Sequence, residues 1–198
     1  MKNIRYEYLT DSIHIIQPEK IIEIGLAQGL RSFQMIKEAK IFHKDIKFCG
    51  YDVFDTKDKD WHTMVGNAKQ VFSQSDIEKI LYPLNANVKL YPGMTKDTLW
   101  KSSNKADLVF IDGDHRIEAI ENDFNSVKKS KVIVFDDYYI SGEHNNFTTD
   151  KYGCNKLVET FPENEIFISP KTLKFPNVRV AFWSKDTNII SNLSDTFC

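Results

Sequence analysis

The chain of 198 residues predicts one α/β domain, residues 1–198, built as a doubly wound, mostly parallel sheet with helices on both faces. Three observations carry this reading. Short apolar runs rich in β-branched and aromatic residues recur along the chain. Helix-period segments lie between them. The last two runs flank a turn with no helix between them.

Taken in order, the runs are Lys20 to Ile24 (KIIEI), Ile46 to Tyr51 (IKFCGY), Asn87 to Tyr91 (NVKLY), Asp107 to Ile111 (DLVFI) and Val132 to Phe135 (VIVF). Each is apolar on both faces, as buried parallel strands require. After Gly29, Phe33, Ile36 and Ala39 form one helical stripe; after Ile111, Ile117, Ile120, Phe124 and Val127 form another. Glu165 to Ser169 and Asn177 to Ser184 flank a Pro/Lys-rich turn and predict an antiparallel hairpin at the sheet edge. Phe54 to Asp76 and Tyr138 to Tyr152 lack clean periodicity and follow strand C-termini, where open α/β sheets bind ligands, so they are expected to be lid or substrate loops.

Composition sets outer bounds. Apolar residues make up 41% and charged residues 27%, ordinary values for a globular protein. A net charge of −2 gives no electrostatic footprint for nucleic acid or an anionic membrane, and neither partner is expected. No apolar run approaches the ~20 residues of a membrane span, and MKNIRYEYLTD lacks the apolar stretch of a signal peptide. Cys49, Cys154 and Cys198 share no CxxC spacing and read as reduced thiols. A cytoplasmic location is the expectation.

Four motifs carry chemistry. In Glu23-Ile24-Gly25-Leu26-Ala27-Gln28-Gly29, small residues at 25, 27 and 29 follow a strand and open a helix. They let the backbone turn tightly and approach a ligand, with free helix N–H groups behind. The nicotinamide fingerprint G-x-G-x-x-G fits poorly, because Ala27 and Leu30 stand at its second and third glycines. An acid two residues before the first glycine suits a ligand carrying an ammonium group. Asp52, ending the second strand, can accept hydrogen bonds from both hydroxyls of a ribose, with Asp55 as the weaker candidate. Asp112-Gly113-Asp114-His115 ends the fourth strand and Asp136-Asp137 the fifth. Carboxylates gathered at one sheet edge repel and are costly to bury without a cation, so Asp112, Asp136 and Asp137 could ligate a hard divalent ion. His115 could take a proton from a substrate hydroxyl. The same residues could instead be helix N-caps (Asp114, Asp137) beside a solvated histidine.

With these motifs the sequence resembles class I methyltransferases, and more narrowly the small O-methyltransferases. EIGLAQG resembles their first motif, GYD their second-strand acid, and FIDGDHRIEAIENDF with VIVFDDYY their fourth- and fifth-strand motifs. The IDGDH and DDY pair is similar to the macrocin O-methyltransferase group, which methylates sugar hydroxyls, and more loosely to catechol O-methyltransferase. The resemblance spans roughly Glu19 to Lys185. It implies a Rossmann-like sheet of seven strands with the last antiparallel, and S-adenosylmethionine as cofactor. Glu23, Gly25, Ala27 and Gly29 would surround its methionine part, with Arg31 and Ser32 at the opening of the following helix. Asp52 would hold the ribose, and Gly93, Met94 and Thr95 would edge the adenine. Asp112, also at the cofactor, would join Asp136 and Asp137 in holding magnesium or another divalent cation.

The expected reaction is metal-assisted transfer of the sulfonium methyl to a hydroxyl of a small molecule such as a sugar or other polyhydroxylated metabolite. His115 and Asp112 compete for the role of base. Trp61, His62, Tyr138, Tyr139, His144 and Asn145 are candidate substrate contacts, and a homodimer is compatible with the sequence. Three rivals stand beside this reading: a nicotinamide-dependent oxidoreductase, a non-catalytic nucleoside-binding module on the same kind of fold, and a nucleic-acid methyltransferase, against which the absence of an NPPY-type motif and of a strong basic excess both count.

Overall fold

The computed structural model describes residues 1–56, 72–99, 105–140 and 149–198. The apolar runs become β1 (Lys20–Ile24), β2 (Lys47–Asp52), β3 (Asn87–Pro92), β4 (Leu108–Ile111), β5 (Val132–Tyr139), β6 (Ile166–Ile168) and β7 (Val178–Trp183). They form one seven-stranded sheet in the order β3-β2-β1-β4-β5-β7-β6. β1 to β5 run parallel, and β7 is antiparallel to both β5 and β6. The helices are α1 (Tyr6–Ile16), α2 (Leu30–Ala39), α3 (Gln74–Leu81), α4 (Thr95–Thr98), α5 (Ile117–Val127), α6 (Asn155–Val158) and α7 (Thr187–Phe197).

The period-2 geometry of a strand sends alternate side chains to opposite faces, and each face has its own core. Ile21, Phe48, Leu108, Phe110, Val132, Val134 and Phe182 pack with residues of α1, α2, α3 and α7. Ile22, Cys49, Val109, Ile111, Ile133, Phe135 and Trp183 pack on the other side with Ile120, Phe124 and Val127 of α5. All four residues of β4 are buried, as expected of a strand covered on both faces, and each such side chain contributes ~1.5–3 kcal/mol. β3 departs from the expectation of full burial. It lies at the sheet edge, and Asn87, Lys89 and Pro92 are exposed.

β5 runs four residues past its apolar core. Its pairing with β7 shifts register between Phe135 and Tyr138, and Asp137 takes a left-handed φ of 57°. The extra residue of such a bulge re-aims side chains that a regular strand would send to opposite faces. The strand order turns back on itself between β1 and β4, so loops leaving these two neighbours diverge and open a crevice at their C-terminal ends.

Candidate active site

The first wall of the crevice is the loop after β1. Gly25 has φ +84°, and a Cβ placed there would lie 2.1 Å from the carbonyl oxygen of Asp112. The glycine is what lets this loop lie flat against the Asp112–Gly113 backbone after β4. Ala27 (φ 48°) and Gly29 (φ 70°) continue the turn in left-handed conformations, and Gly29 caps α2. Leu30, at the third glycine position of the nicotinamide fingerprint, is 51% exposed, so its bulk does not obstruct helix packing.

Asp52 ties this loop to β2. Its Oδ2 accepts hydrogen bonds from the backbone N–H of Leu26 (2.6 Å) and Ala27 (3.1 Å), and its Oδ1 from that of Phe54 (2.7 Å). A carboxylate oxygen has two acceptor sites, so these three bonds fill Oδ2 and leave one site on Oδ1, room for one ribose hydroxyl where the sequence suggested two. Asp55 is exposed one turn further on. Gly93, Met94 and Thr95 follow β3 on the same rim, and Gly93 N–H donates to the Asp52 carbonyl (2.9 Å). Thr95 is hydrogen-bonded to the buried Asp123 of α5, a partner sequence reading missed.

Beneath the loop, Glu23 is 1% exposed and accepts a short hydrogen bond from the Ser32 hydroxyl. Burial pushes its carboxyl up to about 8, against the Ser32 hydrogen bond. Ser32 thus holds Glu23. The Arg31 guanidinium lies 4.1 Å from the centre of the Tyr6 ring and donates to Gln34 Oε1 (2.6 Å), so it sits under α1 at the crevice.

The second wall is a polar network at the ends of β4 and β5. Asp136 is fully buried, and the β5 bulge turns Asp136 and Asp137 toward one guanidinium. Arg5 Nε donates to Asp136 Oδ1 (2.5 Å) and Arg5 Nη2 to Asp136 Oδ2 (2.8 Å) and Asp137 Oδ1 (3.0 Å). The Tyr6 hydroxyl donates to Asp136 Oδ2 (2.6 Å). Burial alone would push Asp136 up; the Arg5 charge and the hydrogen bonds from Arg5, Asp112 and Tyr6 outweigh it and hold this carboxyl well below the usual range. Asp137 Oδ2 meets His115 Nδ1 at 2.9 Å. Burial would lower the imidazole, but the Asp137 hydrogen bond and charge reverse that and raise it to about 9. Asp137 is also hydrogen-bonded to Tyr139.

The alternative reading of Asp114 and Asp137 as helix N-caps is not what the structure has: Arg116 precedes α5 without a side-chain cap and Asp137 lies within β5, while Asp114 Oδ1 accepts from the Arg116 N–H (3.0 Å) and the carboxylate pairs with the Arg116 side chain at the surface. The divalent site expected of Asp112, Asp136 and Asp137 does not fit this arrangement. Asp136 and Asp137 already face a fixed cation and several donors. Among the described residues no group of three or more His, Cys, Asp or Glu side chains is disposed to hold a metal.

Beside His115 and Asp137 lies a cleft of about 390 Å³, walled by Tyr139, Ile140, Tyr152, Phe175, Pro176 and Val178, with Lys174 and Asn177 among its polar groups. Asn155 braces the end of β5 that supplies Tyr139: its amide accepts from the Tyr139 N–H (2.8 Å) and donates to the Tyr139 carbonyl (2.7 Å), beyond the point where β4 has ended. Of the candidate substrate contacts, Tyr139 lines the cleft, whereas the Tyr138 hydroxyl reaches to Glu159 (3.5 Å). Trp61, His62, His144 and Asn145 lie outside the described residues. Sequence reading missed Arg5, Tyr6, Asn155 and the Phe175 wall.

No family model matches the chain, and no curated protein matches its sequence. Solved structures do. A crystal structure from Klebsiella pneumoniae, provisionally described as an O-methyltransferase, aligns with a TM-score of 0.63 at 15% identity over 90% of this chain and 78% of that one. The O-methyltransferase TomG from Streptomyces achromogenes, involved in tomaymycin synthesis and solved with S-adenosylmethionine, aligns at 0.59 and 14% identity over 89% and 77%. A structure from Clostridium thermocellum, provisionally described as an rRNA methylase, aligns at 0.59 and 14% identity over 93% and 98%. The chain therefore has the Rossmann-like fold of the class I S-adenosylmethionine-dependent methyltransferases. Among the described residues no helix is long and apolar enough to cross a membrane.

Proposed function

We propose that this single-domain chain transfers the methyl group of S-adenosylmethionine to a hydroxyl oxygen of a small molecule. The observation that carries the reading is a juxtaposition. The loop from Gly25 to Gly29, tied to Asp52, lies against the backbone of the Asp112–Gly113 turn, and the same turn leads to His115, which meets Asp137 at the edge of the cleft. The methyltransferase fold and the cofactor held by TomG support S-adenosylmethionine as the ligand.

In the reaction proposed, the acceptor oxygen attacks the sulfonium methyl in line. The C–S bond breaks, the O–C bond forms, and S-adenosylhomocysteine leaves. The acceptor's proton passes to His115, whose ring Asp137 orients. His115 suits this role better than Asp112, because His115 lines the cleft whereas Asp112 is engaged with the buried Asp136. His115 must first lose its own proton, so turnover draws on the neutral imidazole fraction. The rest of catalysis is positioning. The cleft's aromatic and aliphatic walls support an acceptor with an apolar face beside its hydroxyl, such as the C–H face of a sugar ring or an aromatic ring.

Calorimetric titration with S-adenosylmethionine tests the cofactor. Binding is expected for the natural chain, weakened at least tenfold by Asp52→Ala, and transfer of labelled methyl to a panel of hydroxylated metabolites should follow. No binding under any condition would refute the reading and turn attention to nicotinamide cofactors.

A further inference from the structure

We infer that Arg5 stands where a divalent cation would have to bind, so that the chain's acidic cluster is neutralised from within and excludes metal. As a statement about turnover, metal independence rests on the methyltransferase reading; as a statement about binding, it does not.

Four observations lead here. The bulge at Asp136–Asp137 turns two successive carboxylates onto one object, and that object is a guanidinium contacting both. Arg5 engages Asp136 with two nitrogens at 2.5 and 2.8 Å, a fork matched to a carboxylate. The guanidinium is not on a loose tail. It is the first residue before α1, and Tyr8, Leu9, Ile13 and Ile16 of that helix are buried in the core against the sheet. Tyr6, the next residue, adds a hydroxyl to Asp136 and an edge contact to Phe110.

Arg5 sets one permanent positive charge against both carboxylates. A divalent ion entering this cluster would have to expel Arg5, whose charge cannot be removed by deprotonation, and leave that charge against Phe175 and Tyr6 without its acids. Arg5 also fixes the carboxylate that fixes His115, through Asp137. It is a positioning residue by this geometry, and it does for the cluster what a bound ion would do: it cancels repulsion and sets the direction of each oxygen.

Manganese titration of the purified full-length chain, followed by electron paramagnetic resonance of free Mn²⁺, tests this directly. The natural chain is expected to hold no stoichiometric Mn²⁺ at millimolar metal. Arg5→Ala is expected to gain one site per chain, lost again when Asp136→Asn is added. Arg5→Met, which keeps much of the stem's packing, serves if the alanine variant does not fold. A stoichiometric site in the natural chain, removed by Asp136→Asn, would overturn the inference. So would a folded Arg5 variant with no gain of metal, since the acids would then not form a cation site at all. S-adenosylmethionine titration of the same preparation separates failure of this inference from failure of the methyltransferase reading. Loss of cofactor binding refutes the latter, whereas the manganese result bears only on Arg5.

Discussion

Arg5→Ala should destabilise the chain severely. Asp136 has a side chain 1% exposed and Arg5 one 12% exposed, so the pair is desolvated on both sides. Removing one member of a buried pair leaves an uncompensated charge and typically costs ~3–5 kcal/mol. Tyr6 and Asp112 still bond to Asp136, which places the expected loss toward the lower end, at about 3 kcal/mol. The sign of the pH dependence follows from the same contacts. With Arg5 present Asp136 titrates below its ordinary value, so its contribution is complete above that value and disappears only as pH falls through the depressed one. Without Arg5 burial dominates, the carboxyl moves upward, and protonation relieves the penalty. The stability gap between natural and variant chains should therefore be widest near neutrality and shrink as pH falls, beginning above the ordinary carboxylate value of about 4 and continuing below it. Urea denaturation at neutral and acidic pH measures both ends. The double variant with Asp136→Ala should lose less than the sum of the single losses, with coupling of about 2 kcal/mol or more. A neutral-pH loss under about 1 kcal/mol, or a gap that widens on acidification, would show that Arg5 is solvated and that the pair is a surface contact.

Two further perturbations address the cofactor wall. Gly25→Ala forces a Cβ to 2.1 Å from the Asp112 carbonyl at a left-handed φ, so it should cost more than ~3 kcal/mol in urea denaturation and abolish S-adenosylmethionine binding; a folded, binding-competent variant would mean that the β1 and β4 loops are not in contact. Glu23 titrates at about 8 instead of its ordinary 4.5, so it favours folding when protonated, and the unliganded chain should lose stability as pH rises between those values and level off above. A cofactor ammonium would demand the anion, so binding near pH 7 should release close to one proton, read by calorimetry in buffers of different ionisation enthalpy and absent in Glu23→Gln.

Most of the sheet was legible because buried parallel strands write themselves as continuous apolar runs. KIIEI, DLVFI and VIVF leave little other use for such residues, and the glycines at 25 and 29 mark the turn that follows. The C-terminal helix α7 was not read, although Asp186 caps it by accepting the Asn188 N–H (3.1 Å) and Ile189, Ile190 and Leu193 form its buried face. With seven other residues in its eleven polar or small, the stripe is narrow. The acids at the ends of β4 and β5 were legible as a cluster, since strand-end position alone brings them together. Their neutralisation was not. It depends on a residue 131 positions away, placed by the packing of α1 and by a bulge whose positive φ falls on an ordinary-looking aspartate. Sequence spacing shows that carboxylates converge and need a cation, but it does not say whether that cation arrives from solution or from the chain. The choice was made at Arg5, in a segment, MKNIRYEYLTD, that the sequence marks only by its lack of a signal-like apolar stretch. A cluster of acids at a strand edge is therefore half of an inference; the other half is the search, over the whole chain, for the arginine that would make an ion unnecessary.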